Sequence, residues 1–376
     1  MFIKTIKTLL LENCKTILEG PLSIKDIDLF KSQGFLIKSG LVPEELLQQH
    51  QREIREYLTR NANIDFKGTE IGSAEESKVL LHQENLTSNV SNGFGGMINF
   101  YHGTSMYKIR ELHSVYQSFS QLYSTTYSQP LPIHSDLNEW PNIYGPFNPE
   151  EMFMFVNRCG FRIPHLPETL THDQLVQKGT GIHLDCNPYH LFKGEKLVDE
   201  NIELKPLRFW QPIQAFVSLT DTLDKEQGGF WTIPKFHFKT VEYFQNQYKF
   251  NEDGNQKLKR GNSFDINDMD QFIKNSLQFI PIHRGDVLFW DWRMPHCNDQ
   301  FHSGEKVREV IYLAHLPNVT INQQYAQKQK EWYHSGNHPS YVAKKFSTLE
   351  TNNSYKPPLL SLLGKKLLDL LPWTHK

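Results

Sequence analysis

Two residues of types that bind transition metals lie two positions apart within residues 179–185. If this segment is a β-strand, His183 and Asp185 point to the same face, because alternate residues of a strand share a face. A third candidate ligand, His296, lies far along the chain. Two imidazoles and one carboxylate can occupy one face of an octahedral ion and leave three positions open, as in non-haem Fe(II) oxygenases. The spacing therefore predicts a metal site made of His183, Asp185 and His296.

A further charged residue, Arg308, lies inside the otherwise apolar run 307–313. Burying an arginine in a strand is costly unless an anion meets it. That anion is either the carboxylate of a nearby Asp or Glu, or the distal carboxylate of 2-oxoglutarate held bidentately by the guanidinium. Both alternatives are open at this point.

Alternation along residues 212–219 indicates which side chains reach a ligand cavity. One face carries Gln214 and Phe216, whereas the other is aliphatic, so we expect the first face to line the cavity. Gln214 could contact 2-oxoglutarate or the substrate, although an ordinary strand glutamine bonded to backbone groups is an equal alternative. Asn298, two positions after His296, could donate a hydrogen bond to the co-substrate.

Two other features have simpler interpretations. His134 and Asp136 form a second His-x-Asp pair in loop-like sequence, which indicates a surface or hydrogen-bonded histidine. Arg158 and Arg162 precede the metal segment. They could recognise an acidic group on a substrate, but we interpret them as surface salt bridges.

Short β-type runs separated by turn residues predict how these side chains are positioned. Strands are expected at 152–156, 180–185, 212–219, 230–233, 287–290 and 307–316. They predict a jelly roll or barrel-like sandwich between about 151 and 320 rather than a parallel βαβ sheet. Helices are expected at 1–20, 24–30, 43 to about 57 and 105–127, and in a C-terminal extension 321–376 that ends in an amphipathic helix over 357–373. The charged segment 249–275 is interpreted as an insertion that is part loop and part helix, with the helix beginning at 266. The whole chain 1–376 is interpreted as one domain with a mainly helical flank over 1–150.

Several motifs also follow one another in a characteristic order. They are Phe30-x-x-x-Gly34-Phe35-Leu36 before the helix at Pro43, His183-x-Asp185, QAFVSLTD at 214–221, the Gly-Gly turn 227–234 with His237, and Arg284-Gly285-Asp286-Val287 leading to His296 and Arg308. This set resembles the phytanoyl-CoA dioxygenase family of Fe(II)/2-oxoglutarate-dependent oxygenases. The resemblance implies an α+β fold whose core is a double-stranded β-helix (jelly-roll, cupin-like) with flanking helices. It also implies Fe(II) bound by His183, Asp185 and His296, and 2-oxoglutarate bound by Arg308.

The same resemblance implies an activity. The chain would be a dioxygenase that uses O2 and 2-oxoglutarate to hydroxylate an unactivated C–H bond of a small molecule or acyl conjugate, releasing succinate and CO2. Asp185 favours hydroxylation, because halogenating relatives lack this carboxylate. Two other functions are open: a non-catalytic jelly-roll protein that binds or senses a metal, and a zinc hydrolase that uses the same three ligands.

Composition limits the partners and the location. Among 376 residues, 40 Lys and Arg balance 42 Asp and Glu, which gives a formal charge of −2 and no electrostatic reason to expect nucleic acid or an anionic membrane as partner. The four cysteines form no CxxC pair, which is typical of a reducing compartment. No stretch resembles a signal peptide or a membrane span. We therefore expect a cytoplasmic protein that binds a small molecule, as a monomer or a homo-oligomer.

Overall fold

The fold is taken from a computed structural model of the chain. It describes residues 20–66, 68–81, 96–128, 140–142, 144–164, 181–188, 191, 207–247, 264–266, 270–299, 302–337 and 355–373. The helix predicted over 1–20 and the pair His134 and Asp136 lie outside these residues. All the residues predicted to contact the metal or the co-substrate lie within them.

The strands pair antiparallel into two sheets and one separate strand pair. The larger sheet contains, in order of pairing, β1 (Phe35–Lys38), β10 (Val287–Asp291), β6 (Ile213–Ser218), β12 (Arg308–Leu313), β4 (Cys159–Arg162) and β2 (Met97–Ile98). The smaller sheet contains β8 (Phe264–Asp265), β5 (His183–Leu184), β11 (His296–Asn298), β7 (Phe230–Thr232) and β9 (Gln278–Ile280). Strands β3 (Met152–Met154) and β13 (His315–Pro317) pair with each other.

Helices precede, interrupt and follow these strands. Those described are α1 (Ile24–Gln33), α2 (Glu44–Ala62), α3 (Ala74–Leu81), α4 (Thr104–Arg110), α5 (His113–Thr125), α6 (Thr240–Gln247), α7 (Gln271–Ser276), α8 (Thr320–Ser335) and α9 (Leu362–Leu367). Helix α1 begins at a Ser23–Asp26 capping box and ends at Gly34, whose φ of +81° suits glycine. A Cβ at Gly34 would also lie only 2.5 Å from Nδ1 of His237. The mixture of helices and antiparallel sheets confirms the predicted α+β class.

Aromatic side chains fill the space between the two sheets. The ring of Phe230 in the smaller sheet lies 5.9 Å from that of Phe216 and 5.4 Å from that of Trp290, both in the larger sheet. All three side chains are buried. Aromatic rings at these separations contribute packing area together with a favourable edge-to-face geometry. This shared interior is where the candidate ligands lie.

Several predicted elements have other boundaries in the structure. The predicted strand 307–316 is two strands, β12 and β13, which belong to different sheets. The predicted helix 105–127 is two helices, because Leu112 adopts an extended conformation (φ −58°, ψ 132°) between them. Within the segment 249–275, Phe264–Asp265 pairs with the strand of His183, and α7 begins only after Asp270, whose side chain caps the helix.

The amphipathic helix predicted over 357–373 is shorter in the structure. Helix α9 covers only Leu362–Leu367, because Pro357 and Pro358 favour extended backbone before it. Leu367 is buried, whereas Leu359 is 91% exposed, so the predicted apolar face is only partly covered. None of the helices described here is long and apolar enough to span a membrane.

A buried ion network fixes α2 against β12. Arg55 of α2 donates to Glu76 at 2.7 Å and to Glu309 at 2.6 Å, and Gln51 donates to Glu309 at 3.1 Å. All four residues are buried. Glu309 directly precedes Val310 and follows Arg308 on β12, so this network holds the strand that carries the predicted co-substrate arginine.

We expect Arg55→Met to lower the free energy of unfolding by about 3–5 kcal/mol, because it leaves two buried carboxylates without their cation. Urea denaturation would measure the change. Lys330→Met is the matched control, since it breaks the part-exposed Lys330–Asp369 pair at 2.9 Å, and such pairs contribute about 0–1 kcal/mol. Equal losses in the two variants would contradict a stabilising role for the buried network.

Because a buried histidine is harder to protonate than one in the unfolded chain, we expect the fold to lose stability in acid. Burial lowers the pKa of His315 to about 4, whereas an unfolded histidine titrates near 6.5. The unfolded chain therefore binds the proton first as the pH falls from 6.5 to 4, and the fold loses up to about 1.4 kcal/mol per pH unit for each such histidine. We expect His315→Gln, which keeps a donor for the Arg110 carbonyl, to flatten the pH dependence of urea unfolding over this interval. An unchanged slope would show that His315 does not contribute.

Candidate metal centre

The three predicted ligands converge where the smaller sheet pairs β5 with β11. His183 lies directly opposite His296 in the ladder, and Asp185 follows His183 by two residues. Donor atoms of the three side chains all lie within 4.8 Å of one another. The structure therefore confirms that residues far apart in sequence form one cluster with the composition of a metal site.

Backbone hydrogen bonds orient both imidazoles. Nδ1 of His183 donates to the carbonyl of Gly181 at 2.7 Å, and Nδ1 of His296 donates to the carbonyl of Met294 at 2.9 Å. With Nδ1 donating, Nε2 is the atom of each ring that faces Asp185, and the two Nε2 atoms lie 3.8 and 3.1 Å from the carboxylate oxygens. A protonated ring donates to the carboxylate from this atom, whereas a neutral ring offers its Nε2 lone pair to a metal ion. Carbonyl-bonded Nδ1 groups are typical of histidines that bind metals.

Asp185 is held in its charged form. Burial raises the pKa of Asp185, but His296, His183 and a hydrogen bond from Gln214 outweigh burial and lower the pKa to about 2. Its backbone N–H donates to the carbonyl of Trp292 at 3.2 Å, which fixes the residue after the strand ends. Gln214 thus contacts a predicted metal ligand, as the hydrogen-bonded partners of metal-binding carboxylates commonly do. Its contact with co-substrate or substrate stays a prediction.

A cavity of about 140 Å³, called the metal cavity below, opens beside the three ligands. Phe230 stacks on the His296 ring at 5.5 Å, and Trp290 lies 5.4 Å from that ring. The remaining lining residues are Met97, Asn157, Arg158, Gln214, Phe216, Asn298 and Tyr312. The prediction that Gln214 and Phe216 point to a cavity is confirmed, and Asn298 also reaches it.

Arg308 lies behind the wall of this cavity. Its side chain is buried, its guanidinium carbon lies 5.7 Å from the centre of the Phe216 ring, and it hydrogen bonds with Tyr312. Burial lowers the pKa of Arg308, and Tyr312 only partly opposes this. Its other surroundings belong to a wide cleft of about 1010 Å³ that also includes Glu44 and Arg284.

The structure tests one of the two partners predicted for Arg308, a nearby Asp or Glu. Among the described residues no Asp or Glu lies within ion-pair distance of it, so a neighbouring carboxylate is excluded there. An external anion is the remaining alternative. Tyr312 connects the two regions, since its ring lines the metal cavity and its hydroxyl contacts Arg308.

The interpretation of Arg158 and Arg162 as surface salt bridges is wrong. Arg162 is completely buried and donates to the Gly228 carbonyl at 3.1 Å. Arg158 is only partly exposed and lines the metal cavity. Tyr312 was not among the predicted residues, although its even spacing from Arg308 on one strand places both on the same face and could have identified it.

The chain combines an α+β fold with a His-Asp-His cluster at the smaller of its two antiparallel sheets. These features make it a protein with a candidate non-haem metal centre.

The Gig2-like family model matches residues 209–358, which include His296, Asn298 and Arg308 but not His183 or Asp185. No curated protein sequence matches the chain. The resemblance to the phytanoyl-CoA dioxygenase family stays a prediction.

Solved structures resemble almost the whole chain. GlcNAc Inducible Gene 2, GIG2 (DUF1479), from Candida albicans is 13% identical with a TM-score of 0.66, covering 98% of this chain and 85% of that one. The hypothetical protein JW0805 from Escherichia coli is 15% identical with a TM-score of 0.64, covering 98% and 92%. A Salmonella typhimurium LT2 protein, provisionally described as an oxidoreductase, is 15% identical with a TM-score of 0.61, covering 98% and 92%. At such identities the likeness shows the fold alone.

We expect the protein to bind one Fe(II), or Co(II) as a redox-stable substitute, per chain. His183→Ala and His296→Ala remove a ligand, so each should weaken binding by more than the roughly 10–100-fold that loss of a ligand's hydrogen-bond partner costs. Anaerobic titration followed by Co(II) absorption measures the affinity. His334→Ala, which removes an exposed imidazole on α8, should bind as the unaltered protein does. Unchanged affinity in both ligand variants would contradict this site.

Proposed function

We propose that this chain is an Fe(II)- and 2-oxoglutarate-dependent dioxygenase of the phytanoyl-CoA dioxygenase type. Its reaction would hydroxylate an unactivated C–H bond of a small molecule or acyl conjugate. The observation that carries the proposal is the joint presence of the His183, Asp185 and His296 cluster and a buried arginine, Arg308, that has no carboxylate partner among the described residues. Fe(II) with 2-oxoglutarate and O2 supplies the oxidising chemistry, with succinate and CO2 as the other products.

The donor set of two imidazole nitrogens and one carboxylate fits Fe(II). Two neutral imidazoles and one ionised carboxylate bind one face of an Fe(II) ion and leave three positions for small molecules. The chain prepares these ligands before the metal arrives, since Gly181 and Met294 hold both rings and Gln214 holds Asp185. Phe230 and Trp290 form an apolar wall beside His296.

Arg308 supports the co-substrate assignment. A guanidinium buried without a carboxylate is unfavourable in the free protein, and a bidentate anion would offset that cost. Tyr312 lies beside Arg308 and partly opposes the lowering of the Arg308 pKa by burial. Binding the distal carboxylate of 2-oxoglutarate at Arg308 would orient the molecule relative to the ligands, with Asn298 as a further donor beside His296.

The fold and the relatives agree with this proposal. Two antiparallel sheets that share an aromatic interior are the arrangement that a jelly-roll core requires, and the Salmonella protein is provisionally described as an oxidoreductase. A zinc hydrolase with the same ligands is less well supported. Such an enzyme needs a general base beside the metal-bound water, and Asp185 is the sole carboxylate among the described residues of the metal cavity.

We expect anaerobic addition of Fe(II) and 2-oxoglutarate to produce a weak visible charge-transfer band that His183→Ala lacks, and admission of air to yield succinate. Arg308→Gln should weaken 2-oxoglutarate binding by roughly 10–100-fold, the effect of losing hydrogen bonds to a charged group, while iron binding stays intact.

Arg284→Gln is the matched control, because Arg284 lines the same wide cleft but pairs with Glu44 at 2.8 Å. It should leave the 2-oxoglutarate affinity unchanged. Absence of both the band and succinate in the unaltered protein would overturn the proposed function. Parallel loss of iron and 2-oxoglutarate in Arg308→Gln would instead make Arg308 a structural residue.

A further inference from the structure

A second arginine faces the metal cavity itself. Arg158 directly precedes β4, and the ladder pairs Arg308 with Arg162 and Val310 with Gly160. Continuing that register places Arg158 opposite Tyr312. Arg158 lines the metal cavity together with His183 and Asp185, whereas Arg308 lies beyond Tyr312.

Arg158 has no anion of its own within the described residues. Its Nη1 atom is buried without a hydrogen-bond partner, and no carboxylate of the described chain lies within ion-pair distance of its guanidinium. A partly buried guanidinium without a partner is unfavourable. A charged partner from outside the chain would remove this cost.

The backbone around Arg158 is held firmly. The carbonyl of Asn157 accepts a hydrogen bond from the buried Arg110 at 2.5 Å, and the Asn157 side-chain oxygen accepts from the N–H of Arg158 at 2.9 Å. Asn157 also lines the metal cavity, and its side-chain nitrogen is a potential donor. Arg158 and Asn157 together form a donor pair on a fixed segment.

Tyr312 separates this donor pair from Arg308. Tyr312 lines the metal cavity together with Arg158 and also lies beside Arg308. Arg308 lines the wide cleft instead of the metal cavity. Two separate anion-binding positions follow from this arrangement.

If the proposed function holds, a count of the charges shows which of the two positions still lacks an anion. The metal ion and Arg308 are neutralised by Asp185 and by the two carboxylates of 2-oxoglutarate. Burial and the neighbouring Arg308 lower the pKa of Arg162, the other cation on this face, to about 10, and Asp299 partly opposes this. Arg158 is then one positive charge left over in a poorly solvated cavity, where it attracts an anion strongly.

We propose that Arg158, with Asn157, binds an oxyanion group of the substrate, so that the protein acts on acidic small molecules that carry a carboxylate or a phosphate. The inference rests on the proposed function and names the substrate class of the same site. A guanidinium binds either group bidentately.

Butyrate, butyl phosphate and the neutral butyramide are suitable probes, titrated anaerobically into protein saturated with Fe(II) and 2-oxoglutarate. We expect at least one anion to perturb the visible band and to bind at least ten-fold more tightly than butyramide. Tighter binding of butyrate would identify a carboxylate substrate, and tighter binding of butyl phosphate a phosphorylated one.

Arg158→Gln should weaken the preferred anion at least ten-fold, Arg158→Lys should restore part of the affinity, and both should bind 2-oxoglutarate within two-fold of the unaltered protein. Arg52→Gln, on the wide cleft, is the matched control and should change neither affinity. Butyramide binding as tightly as the anions, no anion binding, or an Arg158→Gln variant that keeps its anion affinity would overturn the inference.

Two results separate this inference from the proposed function. If Arg158→Gln loses 2-oxoglutarate affinity instead of anion affinity, Arg158 serves the co-substrate, and the inference fails while the dioxygenase proposal stands. If the unaltered protein forms no band, the proposed function fails. Calorimetric titration of the Fe(II)-loaded protein with butyrate or butyl phosphate then tests Arg158 alone, and binding that Arg158→Gln abolishes would still support an anion site there.

Discussion

The pairing of β5 with β11 is the constraint on which the candidate site depends. It places His183 directly opposite His296, and the chain turns immediately afterwards to bring Asp185 against both rings. Because each Nδ1 is bonded to a backbone carbonyl two residues before it, Nε2 is the atom of each ring that faces the carboxylate. Three donor groups directed at one point form a candidate metal site.

Buried arginines of two kinds explain how the interior combines stability with binding. Arg55 lies between Glu76 and Glu309, and Arg293 lies 2.8 Å from the Asp291 carboxylate, so these cations are balanced inside the fold. Arg158 and Arg308 have no such carboxylate among the described residues. Since a buried charge is costly until it is paired, the balanced arginines hold strands in place, whereas the unbalanced ones are those for which we propose an anion from outside the chain.

Local signals in the sequence predicted most elements that carry the site. The helical pattern at 24–30, the Pro43 start of α2 and the alternation around Gln214 act over a few residues and can be recognised without the rest of the fold. Boundaries that depend on distant contacts were predicted less well. The apolar run 307–316 forms β12 and β13 because its two halves pair with different strands. Phe264–Asp265 lies in the predicted insertion, yet it pairs with the strand of His183.

The sequence by itself determined which kinds of site to expect. Two imidazoles and a carboxylate at this spacing indicate a metal site, and one arginine in an apolar strand indicates a bound anion. Only the tertiary structure decided which charges are satisfied. Arg158 and Arg162 have similar sequence surroundings, yet one lines the metal cavity and the other is enclosed against Gly228. Burial and pairing depend on which strands meet across the sheets, and that is a property of the whole chain rather than of any local pattern.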